Sequence, residues 1–187
     1  MVHVIALLDA CVLYPAPLRD FLMRLSTEGV FMPRWSAIIH EEWMRNVLAD
    51  RPDLSLERLE RTRNLMLTYQ PSALVTDFEK YIPELELPDP QDRHVVAAAI
   101  EGGCDAIVTF NLKDFPSEVL DPYGLMALHP DLFISQCFAD YPAQVLTALK
   151  KQHRSLRSPP CSLSDLLDTL MRCGLSKTVM MLRNELG

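Results

Sequence analysis

Apolar positions in this chain follow two patterns, and the two predict different elements. The first is unbroken. Val2-His3-Val4-Ile5-Ala6-Leu7-Leu8-Asp9-Ala10-Cys11-Val12 is apolar almost throughout and carries one carboxylate, Asp9. A run without alternation is expected of a strand covered on both faces, as in a parallel α/β sheet. Asp105-Ala106-Ile107-Val108-Thr109-Phe110 repeats the pattern, and Val30-Phe31-Met32, Ala73-Leu74-Val75 and Leu125 to Leu128 are shorter extended candidates.

The second pattern is a helical stripe. Leu18 to Glu28, ended by Gly29 in the C′ position, and Ser36 to Leu48 both show it. At about 3.6 residues per turn, Trp35, Ile38, Ile39 and Glu42 share an arc of the second helix. Glu42 therefore turns inward with the apolar face, and Glu41 turns outward. Burying a carboxylate is unfavourable unless something pairs with it. Glu42 is either salt-bridged or placed for chemistry. Leu54 to Leu67 is rich in Arg and Glu and predicts a solvated helix.

Asp89-Pro90-Gln91-Asp92 opens a further helix, with Asp89 as its cap, proline at the first position and Asp92 at N3. Asp92 shares a face with Val95, Val96 and Ala99, so it points toward the sheet, and Ala97-Ala98-Ala99 lets the helix pack closely. From His129 onward only helices are expected, at Asp131 to Asp140, Ala143 to Leu156, Leu163 to Arg172 and Ser176 to Leu186. Ser158-Pro159-Pro160 divides them, and Ser162 with Asp165 makes a capping box. The expected organisation is an α/β domain over 1–128, with a three-layer α/β/α arrangement around a mostly parallel sheet, and a helical extension over 129–187.

Composition narrows the functional classes. Of 187 residues, 49% are hydrophobic and 23% charged, as in a soluble globule. No apolar run approaches a membrane span and no basic stretch precedes the first one, so the expected location is the cytoplasm. Five scattered cysteines without a CxxC pair argue against zinc and disulfides. The five histidines show no metal-ligand spacing and are assigned no chemistry. A net charge of −7 disfavours broad nonspecific binding to nucleic acid. There is no GxGxxG and no P-loop, and Asp9 is not followed by the second aspartate that a haloacid-dehalogenase phosphatase needs.

In parallel sheets the ligand site lies off the carboxyl ends of the strands. Asp9 belongs there, Asp114 sits in the polar turn after Phe110, and Glu42 and Asp92 face inward from their helices. An all-carboxylate set suits a hard cation, Mg²⁺ or Mn²⁺. Such ions make water easier to deprotonate and stabilise the entering and leaving oxygens of an in-line displacement at phosphorus.

Four segments taken in order resemble PIN-domain ribonucleases, and more closely the VapC-like toxins of bacterial toxin–antitoxin pairs. They are Leu8-Asp9-Ala10-Cys11-Val12, Ser36 to Trp43, Asp89 to Ala99, and Val108-Thr109-Phe110-Asn111-Leu112-Lys113-Asp114-Phe115. The resemblance covers roughly 1–128, and the tail is similar to the helical extension of one subgroup. It implies a metal-dependent endoribonuclease with Asp9, Glu42, Asp92 and Asp114 as ligands and catalytic residues. Some members carry the fourth acid three positions earlier, where this chain has Asn111. That residue would then coordinate through its carbonyl oxygen or a water oriented by Thr109, with Asp89 in an outer shell. Glu41 is the alternative to Glu42.

The implied partners are tRNA or ribosomal RNA, a small antitoxin and a second copy of the chain. Arg19, Arg45, Arg93, Lys113 and the run Lys150-Lys151-Gln152-His153-Arg154 are candidate phosphate contacts. The alternative function is a catalytically weak PIN-fold module that binds RNA or serves assembly, which Asn111 keeps open.

Overall fold

The computed structural model describes residues 4–157 and 159–187. Val2 and His3 of the opening run, and Ser158 of the proline break, lie outside the described residues. Four parallel strands form the central sheet in the order β2-β1-β3-β4, with β1 Ile5–Leu8, β2 Met32–Arg34, β3 Ala106–Val108 and β4 Met126–Leu128. Leu7 pairs with Arg34 on one side and Ile107 on the other, which fixes the register of the middle pair. Ala6, Leu7, Leu8, Ala106, Ile107 and Val108 are fully buried, as unbroken apolar runs require.

The strands are shorter than the apolar runs that encode them. After Leu8 the chain turns at once into the four-residue helix α1 (Ala10–Leu13), followed by α2 (Ala16–Thr27). Val30-Phe31 packs in the core, and the second strand starts two residues later than its pattern predicts. Ala73-Leu74-Val75 contributes only an isolated bridge, Leu74 to Trp35. Apolarity alone does not separate a strand from the buried turn that follows it.

Helices α3 (Ala37–Asp50), α4 (Leu56–Tyr69) and α5 (Arg93–Glu101) follow the polar periodicity closely. Ser36 caps α3 by accepting from the Ile39 amide. The charged helix α4 buries only Leu59 and Met66. Helix α5 starts later than expected: Pro90–Asp92 forms a 3₁₀ turn capped by Asp89, which accepts from the Gln91 amide. Asp92 thus stands at the N-cap of α5, not at N3, and its side chain makes no capping bond. Ala97, Ala98 and Ala99 are buried where α5 meets β1 and β3.

A short α6 (Ser117–Leu120) precedes β4. The remainder is helical: α7 (Pro130–Asp140), α8 (Pro142–Ser155), α9 (Leu163–Arg172) and α10 (Ser176–Leu186). Ser162 and Asp165 form the reciprocal capping box at the start of α9. These helices share the hydrophobic core of the sheet domain, through Phe133, Ile134, Val145, Leu149, Leu170 and Leu182 among others. Helix α8 lies against α2, where Lys151 pairs with Glu28 at 2.6 Å and Gln152 donates to the Pro17 carbonyl at 2.8 Å. No helix among the described residues is long and apolar enough to cross a membrane.

Candidate active site

Asp9 and Thr109 are the residues immediately after the neighbouring strands β1 and β3, so the sheet itself sets them side by side. The Asp9 amide still donates to Val108 and the Thr109 amide to Leu128, which extends the ladder by one residue at this edge. The Asp9 carboxylate is 8% exposed and fully engaged. Its Oδ1 accepts from the Ala10 amide at 2.6 Å, capping α1, and its Oδ2 accepts from the Thr109 hydroxyl at 2.7 Å. The Cys11 thiol donates to the same Oδ2 at 3.1 Å. Burial, then the charge of Asp9, pushes that thiol up to about 12, so it stays protonated and able to donate.

The Thr109 hydroxyl also accepts from the Asn111 amide at 3.0 Å, and the Phe110 amide donates to Cys11 Sγ at 3.3 Å. These bonds fold the chain after β3 into a tight turn. There Asn111 Nδ2 donates to Asp114 Oδ2. The amide of Asn111 is therefore used to hold Asp114, and Thr109, expected to orient a water, holds Asp9.

Asp92 is half-buried at the head of α5. Its carboxyl is raised to about 6, first by burial and then by the negative charges of Asp9, Asp89 and Asp114, with His94 acting in the opposite sense. Four aspartates from three separate segments thus share one electrostatic neighbourhood. Glu42 is half-buried and Glu41 exposed, as the helix phase predicts. Its Oε1 lies 3.1 Å from Nε2 of the buried His94. Among the described residues no lysine or arginine forms an ion pair with any of these five acids.

The basic candidates fare differently. Arg19 is 9% exposed, donates to the Leu13 carbonyl, and lies over the Trp43 ring at 4.4 Å from its centroid. It is a buried support for α2 and α3 and has little surface to offer a phosphate, which corrects the expectation. Burial lowers its guanidinium to about 10, which still leaves it charged at neutral pH. Within the basic run of α8, Gln152 is buried and Lys151 is occupied by Glu28, so those two dock the helix. Arg45 and Lys113 are exposed, and Arg93 is half-buried with its Nε lacking a hydrogen-bond partner among the described residues.

Cys11 and His94 are the site residues that sequence reasoning missed. In sequence Cys11 is one of five scattered cysteines without a CxxC pair, and His94 one of five histidines without metal-ligand spacing. The available signal is position: Cys11 lies two residues after Asp9, and His94 two residues after Asp92.

Carboxylates that lack a lysine or arginine partner among the described residues suit a hard divalent ion by charge and donor type. Among the described residues no three His, Cys, Asp or Glu side chains are arranged to hold a metal between them. The fit therefore rests on donor chemistry and on the three negative charges around Asp92.

A parallel sheet with acids gathered at its carboxyl edge is the PIN arrangement, and the PIN domain profile matches residues 6–113. The chain belongs to the PIN-domain family. Residues 130–184 match the VapC50 C-terminal domain, which accounts for the helices from α7 to α10. A Mycobacterium tuberculosis protein named "Putative ribonuclease VapC50" is 39% identical over 80 residues, which is 43% of this chain and 47% of that protein. The chain thus spans about half the length of the curated relative it matches. No solved structure matches the chain.

Proposed function

We propose that this protein is a divalent-metal-dependent endoribonuclease that hydrolyses phosphodiester bonds in structured or single-stranded RNA, and the toxin of a toxin–antitoxin pair. The observation that carries the reading is the half-buried Asp92 beside Asp9, Asp89 and Asp114: its carboxyl is raised first by burial and then by those three charges, and no lysine or arginine among the described residues pairs with any of the four. A cluster of this kind is stabilised by a bound cation, and PIN-family membership and the VapC50 likeness support the same conclusion.

In this reading Asp9, Glu42, Asp92 and Asp114 hold Mg²⁺ or Mn²⁺, with Asp89, Asn111 and Thr109 behind them. The ion would supply Lewis-acid polarisation of the phosphodiester and stabilise charge on the oxygens that enter and leave. The chain's own residues do the positioning. Thr109 and Cys11 fix the Asp9 carboxylate, Asn111 fixes Asp114, and Asp92, raised to about 6, gives up its proton just below neutral pH. Exposed Arg45 and Lys113, with Arg93, would guide the RNA backbone. Loops and single strands in tRNA or ribosomal RNA are the suitable substrates, since an unpaired backbone can bend into a recessed site. A small antitoxin, a homodimer and a cytoplasmic setting complete the proposal.

The test is cleavage of a labelled single-stranded RNA by the purified chain with Mg²⁺ or Mn²⁺, beside Asp9→Asn. Asparagine keeps an oxygen for the Ala10 amide, so circular dichroism should be unchanged while cleavage slows by about a hundredfold or more. Wild-type rates in Asp9→Asn would remove the catalytic assignment. RNA binding by wild type without cleavage under either ion would favour the binding-module alternative.

A further inference from the structure

Asp9, Asp114 and Glu42 each contact a polar side chain outside the carboxylate set. Thr109 holds Asp9, Asn111 holds Asp114, and His94 holds Glu42. We propose that His94 is a positioning residue, whose Nε2–H fixes the Glu42 carboxylate so that α3 contributes a ligand to the same centre as the aspartates. The inference rests on the metal-centre reading above and adds to it a residue outside the carboxylate set.

The geometry separates this role from that of an ordinary core histidine. The His94 side chain is 9% exposed, and its Nε2 stands 3.1 Å from Glu42 Oε1, across 52 residues of sequence. Its Nδ1 is buried and has no hydrogen-bond partner among the described residues. The ring's polar contact is thus made with the carboxylate alone. In that contact Nε2–H is the donor, because an ionised carboxylate can only accept.

Glu42 needs such a donor. It is half-buried in the middle of α3 on a long, flexible side chain, and no lysine or arginine pairs with it among the described residues. Ligating carboxylates are commonly anchored through one oxygen by an outer hydrogen bond, which leaves the second oxygen as the ligand. Asp9 is likewise anchored by a side-chain donor from another segment, Thr109. His94 is in the first turn of α5, two residues from Asp92, so one short segment brings an acid and the anchor of another acid to the same edge.

The experiment measures Mn²⁺ affinity of the full chain by electron paramagnetic resonance of the free ion, with folding followed by circular dichroism and thermal melting. Three variants are compared with wild type: His94→Ala, His94→Gln and His94→Asn. The glutamine amide nitrogen reaches the place of Nε2, whereas that of asparagine reaches only the place of Nδ1. Mn²⁺ binding should weaken about 10- to 100-fold in His94→Ala and in His94→Asn. It should return close to wild type in His94→Gln. A folded His94→Ala with unchanged affinity overturns the proposal, and so does equal weakening in all three, which would assign the effect to packing. Should His94→Ala unfold, the glutamine–asparagine comparison decides alone. Asp9→Asn separates the two levels: if it binds Mn²⁺ as wild type does, the metal-centre reading itself fails, whatever the His94 variants show.

Discussion

The Thr109 hydroxyl donates to Asp9 Oδ2 at 2.7 Å, joining the ends of two neighbouring parallel strands through their side chains. Because the same hydroxyl accepts from the Asn111 amide, one buried oxygen ties β1, β3 and the turn that carries Asp114. Thr109→Val keeps the shape and removes both bonds. It should destabilise the chain by about 1–3 kcal/mol, the usual cost of leaving buried polar partners unmet. On the proposed activity it should slow RNA cleavage by about tenfold. Thr109→Ser should recover most of both losses. Urea denaturation and cleavage rates, measured together on the pair, check this.

The pH dependence follows from Asp92. In the folded chain it keeps its proton up to about pH 6, whereas its ordinary value is 3.8. Between those values the native state binds more protons than the unfolded state, so this contribution to stability falls as pH rises from about 4 to 6. A cation reverses the preference, because it competes with the proton for the carboxylate. Mn²⁺ should therefore raise the melting temperature more at pH 7 than at pH 5. Asp92→Asn should flatten the metal-free slope over the same window and weaken the Mn²⁺ effect. Melting curves at each pH with and without Mn²⁺ provide the check, and an unchanged slope in Asp92→Asn would count against this assignment.

Parts of the candidate site are legible from the chain alone where they obey local rules. Asp9 stands out as the single carboxylate in a buried run, and a carboxylate at the end of such a run must lie at the sheet edge. The half-buried Glu42 beside an exposed Glu41 follows from helical phase, whereas Asp92 lies in the 3₁₀ turn ahead of α5, where the phase argument does not reach. What is not legible is tertiary pairing. His94 meets Glu42 from 52 residues away, and no periodicity encodes that meeting. Arg19 shows the same limit. In sequence it is a charge beside the apolar positions Leu18, Phe21, Leu22 and Leu25, and its burial over Trp43 and against the Leu13 carbonyl is a tertiary fact.

Arg19 therefore carries its own prediction. Its guanidinium lies over Trp43 and donates to the Leu13 carbonyl, so Arg19→Met loses a cation–π contact and leaves a buried acceptor unmet. The expected loss is about 1–3 kcal/mol of stability. Binding of RNA by the folded fraction should keep its salt dependence, because a buried arginine releases no counterion from a phosphate. The two measurements are the denaturation midpoint and the slope of RNA affinity against salt. A slope smaller by about one unit with unchanged stability would return Arg19 to the phosphate contacts.

The turn between α9 and α10 comes close to the turn after β3 at Gly174. Between α9 and α10, Gly174 has φ +90°, and a Cβ built there would stand 2.9 Å from Phe110 Cε1. Phe110 is stacked edge-on against His129, with ring centroids 5.1 Å apart, and lies between Thr109 and Asn111 in the turn that holds Asp9 and Asp114. Gly174→Ala adds a strained backbone, at about 1–3 kcal/mol, and a collision with the Phe110 ring. Gly103→Ala is the matched control: its φ is +58°, and nothing lies within 4 Å of the added Cβ. Both variants should lose stability through the backbone. Only Gly174→Ala should displace Phe110, and on the proposed activity only it should slow RNA cleavage beyond what its unfolded fraction explains. Cleavage rates normalised to the folded fraction decide the point. Equal normalised rates in the two variants would mean that the α9–α10 turn supports the fold without bearing on the Thr109–Asn111 turn.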